Sequence, residues 1–153
     1  MKLNEKEKSY WNSYLELTSL DEETIKVEAS IAGNEEIADQ LLDLYLTGKK
    51  SAGSGLEKDY LLSGDELPSV GNHWIILDSQ KNPRCIVKTI KVEVHQFDQV
   101  PEMVAIAEGE GDLSLNFWRE AHVNFFTPYL EEWGISDLNK ENIVTEFFEV
   151  VFK

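Results

Sequence analysis

The segment from Arg84 to Phe97 constrains the fold most strongly, because its side chains alternate plainly along its whole length. A period of two residues is typical of a β-strand, so we predict one long strand here. Trp74–Asp78 and the Val- and Phe-rich Ile143–Phe152 are predicted to be further strands. The turn-forming segment Ser79–Pro83 predicts a hairpin connection. The two alternating sets in the long strand are Ile86, Lys88, Ile90, Val92 and Val94 against Val87, Thr89, Lys91 and Glu93.

Apolar residues at helical spacing predict three helices, at Glu5–Leu17, Asn34–Thr47 and Leu115–Trp133. Asn34 is the expected N-cap of the second, and Gly48 is suited to the position just after its end. Pro128 is expected to distort or end the third helix early. Strands separated by irregular helices favour an α+β fold with a small mixed or antiparallel barrel over a doubly wound parallel sheet.

Length and cysteine content limit the organisation of the chain. We expect 153 residues to form one domain with a sizeable core, extending over residues 1–153. The charged N-terminal segment lacks the apolar core of a signal peptide, and no apolar run is long enough to span a membrane. Cys85 is a single cysteine, which excludes an internal disulfide and fits a reducing cytoplasm. We therefore expect a cytoplasmic protein without membrane contact.

The net charge limits the possible partners. The formal charge is -15 and the sequence pI is about 4.5. Such a chain is poorly suited to broad contact with phosphate backbones, because that contact depends on basic side chains. We expect weak or no binding to duplex nucleic acid. A nucleic-acid ligand would be held locally, as a nucleoside or a short single strand.

Two short segments carry the candidate chemistry. Lys49 and Lys50 follow the helix that ends at Gly48, which is unusual placement for lysines in so acidic a chain. A second, glycine-loosened loop holds Glu108 and Glu110 before another helix. A lysine on one loop and a carboxylate on the other can face each other across a cleft. This pairing is the centre of the functional hypothesis.

Structural explanations remain open for the same residues. Lysines just after a helix complement the negative end of its dipole, which accounts for Lys49 and Lys50 without a ligand. The carboxylates of the second loop can be a solvated approach to a helix capped by Asp112 or Ser114. An aromatic stripe at helical spacing is more often core than ligand platform, and this covers Trp118, His122, Phe125 and Tyr129.

Several familiar chemistries are excluded by order or spacing. Gly48–Ser51 follows a helix, whereas a phosphate-binding loop follows a strand and precedes a helix. Gly109 and Gly111 lack the third glycine of a dinucleotide-binding loop. The histidines at 73, 95 and 122 show no metal-ligand spacing with the cysteine, and no Gly-x-Ser-x-Gly elbow occurs. We expect neither a metal site nor a cofactor.

The joint pattern resembles the ASCH family, whose domains have a PUA-like β-barrel fold with flanking helices. Gly48-x-Lys50 matches the first half of the family's short motif. Gly53 stands where the family has Glu or Thr, and Gly55 where it has Arg. On this resemblance the N-terminal helix occupies about residues 5–17 and the ASCH core about residues 34–153. Further matching segments are Gly64-Asp65, Trp74–Asp78, Pro83–Val87 and Ala107–Arg119.

The resemblance implies work on RNA or nucleosides. Some small family members hydrolyse the amide of N4-acetylcytidine with a lysine, a threonine three residues later and a glutamate on a distal loop. By position these fall on Lys50, Gly53 and Glu110, so the charged pair is kept and the hydroxyl is lost. Ser51 or Ser54 can substitute for it, although neighbouring positions in a strand point to opposite faces. The further expected ligand-binding residues are Lys49, Ser51, Ser54, Glu108 and Trp118.

Three functions remain open at this point. The first is a binding module for a modified nucleoside or a short single-stranded RNA, favoured by the missing hydroxyl. The second is an amidohydrolase on N4-acylated cytidine, favoured by the retained Lys50 and Glu110, which are then the catalytic residues. The third is an acidic protein-interaction domain, favoured by the charge.

Overall fold

The long alternating segment is the longest strand of a mixed sheet. The structure, a computed structural model, describes residues 2–153. The helices and strands, in chain order, are α1 Glu5–Glu16, β1 Val27–Ile31, α2 Ala38–Leu46, β2 Ala52–Leu56, α3 Glu57–Ser63, β3 His73–Leu77, β4 Pro83–Gln96, α4 Glu102–Glu108, α5 Leu115–Phe126 and β5 Asn142–Phe152.

Five strands form one sheet in the order β1-β3-β4-β5-β2. The pair β1 and β3 is parallel, with Val27 opposite His73. The pairs β3–β4 and β2–β5 are antiparallel, the first of them joined by the predicted hairpin. Parallel and antiparallel pairs therefore occur together, and the predicted α+β class with a mixed sheet is confirmed.

The chain divides into two compact units, and the first holds the residues up to Lys49 together with 69–90 and 148–153. A capping box between Asn4 and Glu7 begins α1 by satisfying backbone N–H groups of its first turn. The α1 side chains Trp11 and Tyr14 are buried in one apolar cluster of this unit, with Ile75 among others. A second cluster surrounds α2, whose side chains were predicted from helical spacing.

The second unit holds residues 50–68 and 91–147. Its core contains buried side chains from β2, α4, α5 and β5, with Leu56, Val104, Trp118, Phe126 and Ile143 among them. Because strand residues alternate between faces, Ala52 and Leu56 of β2 both point into this core. All of the carboxylates and lysines described in the next section belong to this unit, except Lys49.

Helix ends depart from the sequence-based expectations at one place, the start of α2. Asn34 does not cap α2 directly: its side chain accepts hydrogen bonds from the backbone N–H groups of Glu36 and Ile37, in a turn before the helix. The helix that begins at Leu115 ends at Phe126, and a short 3-10 turn that contains Pro128 follows it. Pro128 has no backbone N–H and cannot continue the α-helical hydrogen bonds. Ser114, one of the two predicted caps, accepts from the N–H of Phe117.

The predicted aromatic stripe of α5 is not a core stripe throughout. Trp118 is buried, but Phe125 is 47% exposed and Tyr129 is 44% exposed. Phe126 takes the core position instead, because it lies four residues after His122 and eight after Trp118, on the same helix face. Strand β1 and the helices α3 and α4 were not predicted, since five to seven residues are too few to show a period.

Candidate functional site

The candidate site is built around Glu108, the last residue of α4. Its side chain is buried, with the residue only 3% exposed. One carboxylate oxygen, Oε2, accepts from the Ser54 hydroxyl at 2.9 Å and from the Trp118 indole N–H. The other, Oε1, lies 3.7 Å from Lys50 Nζ and 3.5 Å from His122 Nε2. Four side chains from three parts of the unit thus converge on one buried carboxylate.

The surroundings of Glu108 favour its charged form. Burial by itself raises the pKa of a carboxyl group, because it removes water from the charge. Here the hydrogen bond and positive charge offered by His122, the charge of Lys50 and the Trp118 N–H outweigh burial, and the pKa of Glu108 is lowered below its ordinary value. A buried carboxylate that stays charged in this way can hold the positive charges of Lys50 and His122 in place.

Lys50 and Glu110 are brought together although they are 60 positions apart in sequence. Lys50 Nζ donates to Glu110 Oε2 at 3.0 Å and to the backbone carbonyl of Glu108 at 3.4 Å. The Lys50 side chain is 6% exposed and that of Glu110 is 31% exposed. The ammonium is therefore buried between two carboxylates, and the Glu110 end of the network reaches solvent. A helix-dipole explanation is not sufficient for Lys50.

The pairing of β2 with β5 decides which hydroxyl lies beside Glu108. Ser54 is directly opposite Thr145, and their hydroxyl oxygens are 2.8 Å apart. Thr145 is fully buried. Gly53, by strand alternation, points to the other face of β2. The hydroxyl near the charged network is thus supplied by Ser54, a position at which the sequence left the direction open.

The other candidate residues have different surroundings. The Ser51 hydroxyl donates to the carbonyl of Ala107 at 3.3 Å, and its backbone N–H donates to the same oxygen, so this residue holds the end of α4. Lys49 is exposed and belongs to the other unit, outside the cluster. At Gly55, the Tyr60 ring lies 3.4 Å from where a Cβ would be, so Tyr60 occupies the direction in which a longer side chain would extend.

His122 and Thr145 join the cluster without having been predicted as site residues. His122 was interpreted as a core histidine, yet it is only partly buried, and its ring stacks on Trp118 at 4.1 Å between centroids. Its Nδ1–H donates to the Trp118 carbonyl at 2.7 Å, which directs Nε2 toward Glu108. The i, i+4 spacing from Trp118 was a usable signal for the stack. Nothing local to Thr145 indicates its partner.

A shallow depression, partly open to solvent, lies beside this network. Its enclosed part is much smaller than a typical ligand cleft, so it is a contact surface rather than a closed pocket. Glu108 and Glu110 lie along one part of its wall. The remaining lining residues are Ala105, Phe117, Trp118, Ala121 and His122.

Residues 2–153 meet the requirements of neither a metal site nor a membrane-spanning helix. Within that range, no group of three or more His, Cys, Asp or Glu side chains is placed to hold a metal ion. None of the helices described there combines the length and apolar character needed to cross a bilayer.

Comparison with known proteins finds the same fold elsewhere. The model of the ASCH domain family matches residues 28–152. An ASCH domain crystal structure from Lactobacillus crispatus JV V101 is 33% identical, with a TM-score of 0.89, and the match covers 100% of this chain and 98% of that one. A crystal structure of a protein from Enterococcus faecalis V583 is 31% identical, with a TM-score of 0.82, over 95% and 87% of the two chains. No curated protein matches the chain.

Proposed function

The chain belongs to the ASCH domain family, whose members are in general RNA-binding modules of PUA-like fold, and we propose that it binds a nucleoside or a short single-stranded RNA beside Glu110. The observation that carries the proposal is the Lys50–Glu110 ion pair, through which a buried charge network reaches solvent at the depression. The solvent-facing member of the pair is the Glu110 carboxylate, which favours a ligand that brings a hydrogen-bond donor.

Charge and the aromatic wall support a local ligand rather than a long one. The chain's net charge of -15 disfavours a long phosphate backbone. Aromatic residues along the wall of the depression offer surfaces on which a base can pack, a contact that tolerates different sequences. A nucleoside or a flexible single strand with one unstacked base meets both conditions.

A panel of ligands tests the proposal. Calorimetry with cytidine, uridine, adenosine, guanosine, N4-acetylcytidine and a short single-stranded RNA is expected to find saturable binding to at least one. Glu110→Gln should weaken that binding by roughly tenfold, as expected for loss of a charged hydrogen-bond partner. Glu131→Gln, an exposed carboxylate change in the same unit, serves as the matched control and should leave it unchanged. Failure of every ligand to bind would refute the proposal and favour an acidic protein-interaction domain.

A second candidate function is hydrolysis of N4-acylated cytidine, favoured by the Ser54 hydroxyl in the network. In this reaction water attacks the acyl carbon, the amide C–N bond breaks, and a carboxylic acid and the free N4 amine are formed. Lys50 would stabilise the developing oxyanion, while Glu110 would take a proton from water and return it to the leaving nitrogen. The hydroxyl of Ser54 would take the place of the one absent at Gly53 and hold the network through its hydrogen bond to Glu108.

Release of cytidine from N4-acetylcytidine, followed by chromatography, tests this second function. Lys50→Ala and Glu110→Gln should each lower turnover on the order of 10²–10³-fold, because each removes a charge that acts in the transition state. Ser54→Ala should lower it as well, whereas Ser51→Ala, which removes a hydroxyl that only holds α4, should not. Tight binding of N4-acetylcytidine without any release of cytidine would reject the hydrolase and leave the binding module.

A further inference from the structure

We propose that Phe117 is the surface on which the ligand's ring stacks, and that Glu110 selects bases carrying an exocyclic amino group over their oxo counterparts. This inference rests on the proposed function and names its ligand class: amino-bearing heterocycles such as cytosine and adenine. Phe117 was not predicted from the sequence. It lines the same depression as Glu110 and is 40% exposed.

The contact between Phe117 and Gly111 orients the ring. A Cβ placed on Gly111 would lie 2.5 Å from three successive ring carbons, Cδ1, Cε1 and Cζ. Equal distances to three adjacent atoms mean that Gly111 approaches the face of the ring, since an approach to its rim would bring one carbon much closer than the others. One ring face is thus packed on the glycine backbone, so a ligand would stack on the opposite face.

The glycine is required twice over at this position. Its φ of 60° lies in the left-handed region, which residues with a Cβ rarely adopt. Any side chain would also displace the Phe117 ring from its seat. The loop Gly109–Gly111 therefore holds Phe117 in one position, which is the preorganisation a stacking surface needs.

The polar groups of the depression are mainly acceptors. The Trp118 N–H already donates to Glu108, and the His122 Nδ1–H donates to the Trp118 carbonyl. Glu110 presents a carboxylate that is 31% exposed, and its Oε2 receives the Lys50 ammonium. A ligand that brings an N–H to this carboxylate gains a charged hydrogen bond.

An oxo group at the same position is disfavoured. A carbonyl oxygen facing Glu110 places two acceptors against each other, and both lose the hydrogen bonds that water supplied. Cytidine and uridine differ in this group, and so do adenosine and inosine. The site should therefore prefer the amino member of each pair, by on the order of tenfold or more.

Calorimetry with these two nucleoside pairs tests the proposal on the full chain. Wild type should bind cytidine and adenosine more tightly than uridine and inosine. Phe117→Ala should weaken the binding of both amino nucleosides by about 5-fold to 100-fold, the range expected for loss of one base–aromatic stack. Phe117→Trp should keep most of the affinity, while Phe117→Leu, which keeps apolar volume without the ring, should not.

Matched variants separate stacking from misfolding. Phe125→Ala removes an equally exposed phenylalanine from the same helix, outside the depression, and should bind as wild type does. Glu110→Gln should reduce the preference for amino over oxo bases, because an amide can also donate. Thermal denaturation of each variant confirms that it is folded before its affinity is compared.

The outcomes also separate this inference from the proposed function. Wild type that binds none of the four nucleosides or the single-stranded RNA refutes both. If wild type binds nucleosides, and Phe117→Ala and Phe125→Ala bind them with equal affinity, the stacking role is overturned while the binding function stays intact. Equal affinity for cytidine and uridine in wild type overturns the selection by Glu110.

Discussion

At the scale of single residues, Glu108 is the side chain on which the candidate site depends. It receives hydrogen bonds from Ser54 and Trp118 and lies near the charges of Lys50 and His122. Each of these groups is wholly or partly buried, so the loss of the carboxylate would take the acceptor from the Trp118 N–H and one of two nearby carboxylates from Lys50. Removal of one member of a buried ionic network costs more than the network contributes as a whole.

We expect Glu108→Ala to lower the free energy of unfolding by about 3 kcal/mol, because it leaves the buried Lys50 with less compensating charge. Urea denaturation at neutral pH measures this. Glu102→Ala, at an exposed position in the first turn of the same helix, is the control and should cost less than about 1 kcal/mol. Adding Lys50→Met to Glu108→Ala should recover part of the loss. An unchanged urea midpoint for Glu108→Ala would contradict the central role of this residue.

The pH dependence of stability should report the same carboxylate. The pKa of Glu108 is lowered in the folded protein from its ordinary value of 4.5, so the unfolded chain binds more protons between the two values. The stabilisation is therefore complete above about pH 4.5 and is lost as the pH falls through the folded pKa. We expect the difference in unfolding free energy between wild type and Glu108→Gln to narrow as the pH falls below about 4.5.

Urea titrations at a series of pH values measure this difference directly. Asp39, Asp78 and Asp112 also have lowered pKa values, but they are present in both proteins and cancel in the comparison. A difference that widens as the solution becomes more acidic would have the wrong sign and would reject a charged Glu108.

At the scale of elements, the connection between α4 and α5 determines the shape of the site. Helix α4 ends at Glu108 with Gly109 in the left-handed region, and Gly111 and Leu113 also have positive φ values. This tight path brings Glu108, Glu110 and Phe117 to the same depression within ten positions. The loop that reads as a solvated acidic stretch is thus closely packed against the first turn of α5.

A pair of glycine variants measures that packing. Gly64→Ala changes a glycine of φ 74° with nothing within 4 Å of its Cβ, so it should cost only the backbone strain, about 1 kcal/mol. Gly111→Ala should cost more, since its Cβ also meets the Phe117 ring. Phe117→Ala introduced together with Gly111→Ala should remove the additional cost. Equal losses for the two glycine variants, measured by urea denaturation, would show that the ring yields without strain.

At the scale of the whole molecule, the net charge of -15 disfavours binding to long nucleic acids irrespective of their sequence. Binding to a duplex gains most of its free energy from counterions that basic side chains release, and this chain has 14 Lys and Arg against 29 Asp and Glu. The ASCH domain family is in general RNA-binding, and the charge of this chain favours a short or local contact over a long one.

We therefore expect binding of random duplex RNA or DNA to be weak at physiological salt, with little dependence on salt concentration. Fluorescence anisotropy with a labelled duplex, titrated at about 50 and 200 mM salt, measures both properties. A short single strand of the same composition is the matched ligand. Tight duplex binding that falls steeply with salt would imply a basic surface and would overturn this expectation.

Much of the fold was predictable because it is encoded between near neighbours in sequence. The alternation along Arg84–Phe97, the helical spacing before Gly48 and the break at Pro128 each involve residues a few positions apart, and each is confirmed. Short elements such as β1 and α4 were not predictable, since their periods are not repeated often enough to stand out from the background.

Neighbouring residues set the strong periodic elements and the acidic character, and they made Lys50 and Glu110 candidates for a shared site. The packing of distant segments then places Lys50 against Glu110 across 60 positions, turns Ser54 rather than Gly53 toward Glu108 and lays Phe117 on Gly111. Local periodicity follows from backbone geometry, which neighbouring residues set. The partners of a buried charge depend instead on how distant strands and helices pack, and a charge in a dry interior must find one there.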